Sequence, residues 1–275
     1  LTKNPRNDFG LISIVVPLYN EAGNVGILNE AIHNALKGFK YELLLVNDGS
    51  TDGTGMQLKK LKHPNLIVIE LEKNYGQSLA LAAGIDTAKG DYIVTMDGDL
   101  QNDPRDIPWM LEKAKDENWD LVTGIRANRK DSILKTIPST VANRIIRLVT
   151  NLNIKDHGCA LKVFTKNTAK ELDLHGEIHR YISLLSHFNG ARITQVLVRH
   201  NARKFGISKY GLERIFRVVY DLVLLVYFQH RKARNEKYSK PKKYKRSYVI
   251  KAIQTQKRIY KKKFQTIPNL TIKSR

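Results

Sequence analysis

The chain has 275 residues, 42% of them apolar and 27% charged, which is enough to bury a full core and excludes a purely solvating tail. Its net charge of +21 is concentrated at one end: residues 231–275 hold 17 of the 47 Lys and Arg with a single acid, Glu236, while the first 230 residues carry 30 bases against 25 acids. The sequence therefore reads as a near-neutral domain with a basic appendage, and its one cysteine, Cys159, excludes a disulfide scaffold or a cysteine-rich zinc site and is expected to be a small buried residue.

Residues 1–10 are polar and the apolar run 11–16 is too short for a leader, so no secretory signal is expected. Short β-branched runs then recur at 11–16, 41–46, 66–70, 92–96 and 121–124. Between them, apolar residues at helical spacing predict helices over 25–36, 54–61, 77–87 and 107–115, and every connection carries Gly, Asp, Asn or Pro. Strands alternating with helices imply a mostly parallel sheet sandwiched by helices, an α/β fold that binds ligands at the carboxyl ends of its strands. The second half is less regular. It predicts a basic amphipathic helix over 132–150, a strand over 160–164, a helix over 177–188, a strand over 192–199 and an apolar helix over 211–229. The longest late apolar stretch, 218–228, contains Asp221 and is far shorter than the roughly 20 residues a bilayer requires, so no transmembrane helix is expected. From residue 231 hydrophobic periodicity fades, and residues 231–275 are expected to form a disordered tail with no core of its own.

The ends of three predicted strands carry the acids. After 11–16 comes Pro17-Leu18-Tyr19-Asn20-Glu21, after 41–46 comes Asn47-Asp48-Gly49-Ser50, and after 92–96 comes Asp97-Gly98-Asp99-Leu100-Gln101. These turns are expected to gather Glu21, Asp48, Asp97, Asp99 and Gln101 at one edge of the sheet, an arrangement that repels itself unless a cation or hydrogen-bond donors sit within it. Asp97-x-Asp99 offers two hard oxygen ligands, with the Gln101 carbonyl as a third. It leaves the other positions to water and substrate phosphate, which suits Mg²⁺ or Mn²⁺. A bland alternative reads Glu21 and Asp48 as helix N-caps. Other phosphate sites are excluded: there is no P-loop, Gly53-Thr54-Gly55-Met56-Gln57-Leu58 lacks the third glycine of a dinucleotide fingerprint, and no His-Glu-x2-His occurs.

Taken in order, Val16-Pro17-Leu18-Tyr19-Asn20-Glu21, Asn47-Asp48-Gly49-Ser50-Thr51-Asp52-Gly53-Thr54, Asn74-Tyr75-Gly76-Gln77 and Met96-Asp97-Gly98-Asp99-Leu100-Gln101 resemble the successive motifs of family 2 glycosyltransferases with the GT-A fold. Gly124-Ile125-Arg126, Asp156-His157-Gly158-Cys159-Ala160-Leu161-Lys162, His179-Arg180-Tyr181 and Arg203-Lys204-Phe205-Gly206-Ile207-Ser208-Lys209-Tyr210 narrow the resemblance to the polyprenyl-phosphate branch, that of dolichyl-phosphate mannosyltransferase and bacterial relatives acting on undecaprenyl phosphate. The likeness covers about residues 10–230. It implies a catalytic domain over 1–230, with a nucleotide-binding half at about 10–125 and an acceptor half at about 126–230.

By that resemblance Pro17, Tyr19, Glu21 and Asp48 line the nucleoside pocket and Gly76 approaches the diphosphate. Asp97, Asp99 and Gln101 hold the metal, while Arg126, Lys135 and Ser139 receive the acceptor phosphate. Arg203 and Lys209 close over the donor phosphates from a loop containing Gly206. The implied reaction inverts configuration in one displacement, with Asp99, Arg126 and Asp156 at the chemistry, Asp156 either acting directly or orienting Arg126 or the acceptor phosphate. A phosphate acceptor is already anionic at neutral pH, whereas a sugar hydroxyl, the alternative acceptor, needs a base, for which Asp156 is the candidate.

The implied partners are a nucleotide-sugar, a polyprenyl phosphate and the cytoplasmic face of a membrane. Relatives usually continue into an interfacial segment and often membrane helices. Here residues 222–228 begin such a segment and then give way to Gln229-His230-Arg231 and the basic tail. Peripheral contact is expected instead, through the two amphipathic helices and through tail bases worth about 1 kcal/mol each near anionic lipid. A non-catalytic module binding membrane or nucleic acid is the reading from another class. Tyr238, Tyr244, Tyr248 and Tyr260 interleave with bases as stacking residues would, but nothing in the main domain supports nucleic acid as a partner.

Overall fold

A computed structural model describes residues 8–127, 152–202, 248–255, 258–260 and 271–272. Its strands are β1 (Ile12–Leu18), β2 (Tyr41–Asn47), β3 (Leu66–Leu71), β4 (Tyr92–Thr95), β5 (Leu121–Arg126), β6 (Lys162–Thr165), β7 (Ile193–Val198) and β8 (Val249–Thr255), with short β9 (Arg258–Tyr260) and β10 (Thr271–Ile272). The helices are α1 (Val25–Ala35), α2 (Thr54–Lys60), α3 (Gln77–Thr87), α4 (Ile107–Asp116), α5 (Lys166–Lys170) and α6 (Ile182–Phe188). The strands form one sheet in the order β10-β8-β3-β2-β1-β4-β6-β5-β7, with β9 on β8.

Strands β3, β2, β1 and β4 run parallel, as do β5 and β7, while β6 is antiparallel between β4 and β5 and β8 is antiparallel on β3. Both faces are covered, so the central strands are mostly apolar on both sides, and the buried exceptions Ser13 and Glu42 bond to each other. Along β1, Ile12, Ile14, Val16 and Leu18 enter the core beneath α1 and α4, and Val15 enters the opposite core beneath α3. Helix α3 is built from Ala and Leu, strong helix formers, and it lies so close to the sheet that a Cβ at Gly84 would collide with Val15. Because the chain leaves β1 toward β2 on one side and reaches β4 on the other, a crevice opens at the carboxyl ends of these strands.

Each strand and helix expected among the described residues is present, with α3 spanning the predicted limits. The region 177–188 divides into a 3₁₀ turn, Ile178–Tyr181, and α6. Cys159 is wholly buried, and burial pushes its thiol pKa up, as suits an inert core residue. The tail requires a correction. Tyr248 and Ile250 are buried, the Tyr248 hydroxyl donates to Asp86 at 2.7 Å, and β8 pairs with β3 from Ile67↔Thr255 to Leu71↔Ile250. Part of the region expected to stay outside the core thus covers the edge of β3, and Tyr248 is unavailable for stacking on a base. The physical reason is that an unpaired parallel edge exposes backbone donors and acceptors, which a short β-branched segment can satisfy whatever its flanking charge. The helices expected over 132–150 and 211–229 lie outside the described residues. Among the described residues no helix is long and apolar enough to cross a membrane.

Candidate active site

The carboxyl end of β1 meets the β2–α2 turn through a lattice of small polar side chains. Asn20, at φ 54°, accepts from the Thr51 amide at 2.8 Å and donates its own amide to Ser50 at 3.0 Å. The Glu21 amide donates to Thr54 Oγ1 at 2.8 Å, and its carboxylate accepts from Asn24 Nδ2 at 2.6 Å. Pro17, Tyr19 and Glu21 line this rim half-buried. Helix α1 begins at an Asn24 cap and α2 at Gly53, so neither Glu21 nor Asp48 is an N-cap.

Asp48 is buried at 3% exposure, and its two oxygens accept from the Tyr75 and Gly76 amides at 2.7 and 2.9 Å. Burial pushes its pKa up and these two bonds pull it back. The approach needs Gly49, at φ +62°, because a side chain there would strike the Lys73–Asn74 backbone. Gly76, at φ +88°, then turns the chain into α3. The carboxylate of Asp48 therefore holds the N-terminal approach to α3, and two lone-pair sites stay available on it.

The next residue, Gln77, reaches the second acidic station: its Nε2 donates to Asp97 Oδ1 at 2.7 Å. Asp99 is buried at 6% and accepts from the Gln101 amide at 3.1 Å. Between them Leu100 takes φ 63°, a left-handed conformation that costs a non-glycine residue about 1–2 kcal/mol and is offset by burial of its side chain. Burial and the neighbouring Asp99 carboxylate push Asp97 up to about 6, against the pull of Lys162, Arg126 and Arg180. A carboxylate raised by burial and by its neighbour, on a rim of hard oxygen donors, fits a divalent ion that keeps water and substrate ligands. Among the described residues no three His, Cys, Asp or Glu side chains converge to hold an ion. The expected single gathering of Glu21, Asp48, Asp97, Asp99 and Gln101 is thus corrected to separate stations, because the first turn of α3 stands between Asp48 and Asp97.

Across the crevice, Arg126 at the end of β5 grips Asp156 in a fork: Nε to Oδ2 at 2.7 Å and Nη2 to Oδ1 at 2.8 Å. The Arg126 and Gly158 amides add bonds at 3.2 and 3.1 Å. Four donors thereby fill the four lone-pair sites of Asp156. A side chain at Gly158 would crowd Arg126 Nη2. The cavity beside this pair is walled by Gln77, Asp97, His157, Lys162, His179 and Arg180. Its far side is pinned by Ser78, whose hydroxyl lies 2.9 Å from His179 Nδ1 and accepts the His179 amide at 3.0 Å.

Of the expected site residues Asp97 lines this cavity, Arg126 and Asp156 lie behind its Gly158 wall, Asp99 and Gln101 are on the adjoining loop, and Pro17, Tyr19, Glu21, Asp48 and Gly76 are on the β1–β2 side. Lys135, Ser139, Arg203 and Lys209 lie outside the described residues. The chain leading toward Arg203 is tied to the acidic loop: Asn201 donates to the Gln101 carbonyl at 2.8 Å, and Arg199 pairs with Asp106 at 3.1 Å. Gln77 and Lys162 were not among the expected site residues. A signal existed for each: Lys162 is a charge within an otherwise apolar strand, and Gln77 closes the Asn74-Tyr75-Gly76-Gln77 motif.

The model of the family described as "Glycosyl transferase family 2" matches residues 13–172. A dodecaprenyl-phosphate galacturonate synthase from Rhizobium johnstonii is 43% identical over 81% of this chain and 68% of its own length. An undecaprenyl-phosphate 4-deoxy-4-formamido-L-arabinose transferase from Klebsiella pneumoniae is 36% identical over 77% of this chain and 66% of its own length. The chain thus spans about two thirds of the length of these relatives. Among solved structures, glucosyl-3-phosphoglycerate synthase from Mycobacterium tuberculosis, in complex with Mn²⁺, UDP-glucose and phosphoglyceric acid, superposes with a TM-score of 0.63 at 17% identity, covering 80% of this chain and 79% of that one, a likeness of fold.

Proposed function

The chain belongs to glycosyl transferase family 2, and from that premise we propose that it moves a sugar from a nucleotide diphosphate donor to a polyprenyl phosphate at the cytoplasmic face of a membrane. The observation that carries this reading is the Arg126–Asp156 fork beside the Asp97–Asp99 loop. A hydroxyl acceptor would need a free base, and the four donors on Asp156 leave no lone pair for that duty, which supports a positioning role for Asp156. A phosphate monoester brings its own charged oxygen and needs a fixed cation to receive it, and Arg126 is held in place for that. The two relatives named above, whose products are built on dodecaprenyl and undecaprenyl phosphate, support the same acceptor class.

In this reading Asp48 and the β1 rim hold the nucleoside, and the α3 approach, held by Asp48, presents Gly76 and Gln77 to the diphosphate. A divalent ion, Mg²⁺ or Mn²⁺, held by Asp97 and Asp99 with Gln101, supplies Lewis-acid stabilisation to the departing diphosphate when bound. The solved neighbour with Mn²⁺ and UDP-glucose supports that class of cofactor. Arg126 orients one acceptor phosphate oxygen toward the anomeric carbon; the new C–O bond forms there as the bond to the diphosphate breaks, with inversion. Lys135 and Ser139 complete the acceptor phosphate site, and Arg203 and Lys209 close over the donor. The apolar and basic segments on the C-terminal side keep the chain at the lipid surface.

The test is a transfer assay in detergent: UDP-galacturonate, UDP-glucose or GDP-mannose with undecaprenyl or dolichyl phosphate and Mn²⁺ or Mg²⁺. Label is expected to appear in the lipid fraction with one donor. Label appearing only in a soluble or glycan hydroxyl product would overturn the acceptor assignment.

A further inference from the structure

Lys162 is 2% exposed in β6, where every other residue of the buried run is apolar. Its register places it opposite Thr95 of β4 on one side and Thr123 of β5 on the other, two residues short of Asp97 and three short of Arg126. The ammonium donates to the Cys159 carbonyl and shares the wall of one cavity with Asp97. A lysine removed from water needs a counter-charge. Burial pushes its pKa down, Cys159, Asp156 and Asp97 work against that in this order, and Arg126 adds to the lowering. Asp156 is saturated by Arg126 and two amides, whereas Asp97 has one bond, from Gln77, and a repelling neighbour in Asp99. The acid left to balance Lys162 is therefore Asp97.

We propose that Lys162 is the built-in counter-cation of Asp97 and makes binding of a divalent ion at Asp97 and Asp99 depend on the diphosphate arriving with it. This rests on the reading of those two aspartates as the ion's ligands. A divalent ion entering alone meets a fixed ammonium that cannot move away, since β6 is locked between two strands. A nucleotide diphosphate brings enough negative charge to satisfy ion and ammonium together. Because linkage is reciprocal, the factor by which nucleotide tightens the ion is the factor by which the ion tightens nucleotide, and Lys162 sets its size. Lys162 is in this sense a positioning residue that acts through Asp97.

The experiment measures Mn²⁺ binding to the full chain by the loss of its free electron-spin resonance signal, with and without UDP or GDP, each corrected for Mn²⁺ bound by free nucleotide. In the wild-type chain Mn²⁺ alone is expected to bind at least about tenfold more weakly than with nucleotide. In Lys162→Met and Lys162→Gln, Mn²⁺ alone binds more tightly and that ratio falls by about tenfold, while Lys162→Arg keeps the wild-type ratio. Glutamine retains a donor for the Cys159 carbonyl, so the pair separates loss of charge from loss of a hydrogen bond, and the thermal unfolding midpoint shows that each variant is folded. A wild-type chain that binds Mn²⁺ equally well with and without nucleotide overturns the proposal, even if no variant folds. Variants with an unchanged ratio overturn the role of Lys162 alone and leave the ion site standing. No Mn²⁺ bound under any condition overturns the ion site and Lys162 with it.

Discussion

The two ends of the sheet surround their buried ionisable groups differently. At the carboxyl end, Asp48, Asp99 and Asp156 are buried as acceptors of specific N–H donors, and Lys162 is buried beside Asp97. At the amino end, His33 of α1 packs against Tyr41, where β2 begins, and against His63 ahead of β3. There burial, reinforced by His63, pushes His33 down to about 4 and keeps it neutral. At one end donors and opposite charges work against burial, which still pushes Asp48 and Asp97 up and Lys162 down; at the other a second histidine reinforces burial. The difference teaches that the acids of the rim are held by design of the backbone turns and not merely tolerated in solvent.

The largest effect should follow from Asp97→Asn. If the loop stabilises the departing diphosphate by several kcal/mol, the transfer rate falls by about 10³-fold or more in the lipid-labelling assay, with little change in the unfolding midpoint. A loss below tenfold would make the carboxyl rim an ordinary polar surface and end the contrast. Next comes Arg126→Met, which strands Asp156 with its negative charge. Stability should fall by about 3 kcal/mol in urea titration, and Arg126→Met with Asp156→Leu should recover most of that without recovering transfer. Tyr248→Phe probes the phenol that donates to the Asp86 carboxylate: loss of that bond should cost about 1.5 kcal/mol and weaken the docking of β8, read as faster amide exchange across the β3–β8 pairing.

The smallest effect lies at the amino end. His33 has a folded-state pKa near 4, below its unfolded value of 6.5, so between those values the unfolded chain binds more protons. Stability from this group is therefore present above about pH 6.5 and lost as the pH falls toward 4. His33→Gln should flatten that part of the stability–pH curve, and an unchanged slope would show that the amino end does not suppress ionisation through this side chain.

Much of the site could be read before the fold was known, because its residues are local in sequence. Asp97-x-Asp99 lies on one short loop, and Gly49 and Gly76 mark turns that only glycine accommodates readily. The parallel sheet was legible for a related reason: strands covered on both faces must be largely apolar, as β1 and β2 are, and helices must lie between them. Three features were not legible. Asp156 orienting Arg126 was one reading the resemblance allowed, but the four-donor fork that settles Asp156 against Arg126 spans thirty residues and is written in neither segment. Lys162 stands out as a charge in an apolar strand, but its neighbours emerge only once β6 is placed between β4 and β5. Tyr248 and β8 sit in a basic stretch whose composition argues against folding.

By itself, then, the amino-acid sequence determined the α/β class, the spacing of the strands and the chemistry of the rim, since hydrophobic period and turn residues act over a few neighbours. Tertiary structure alone decided how the acids are divided between stations, which cation balances which carboxylate, and where the C-terminal strand docks. Those outcomes depend on pairings between distant segments, whose energies come from burial and charge balance that exist only once the sheet has closed around them.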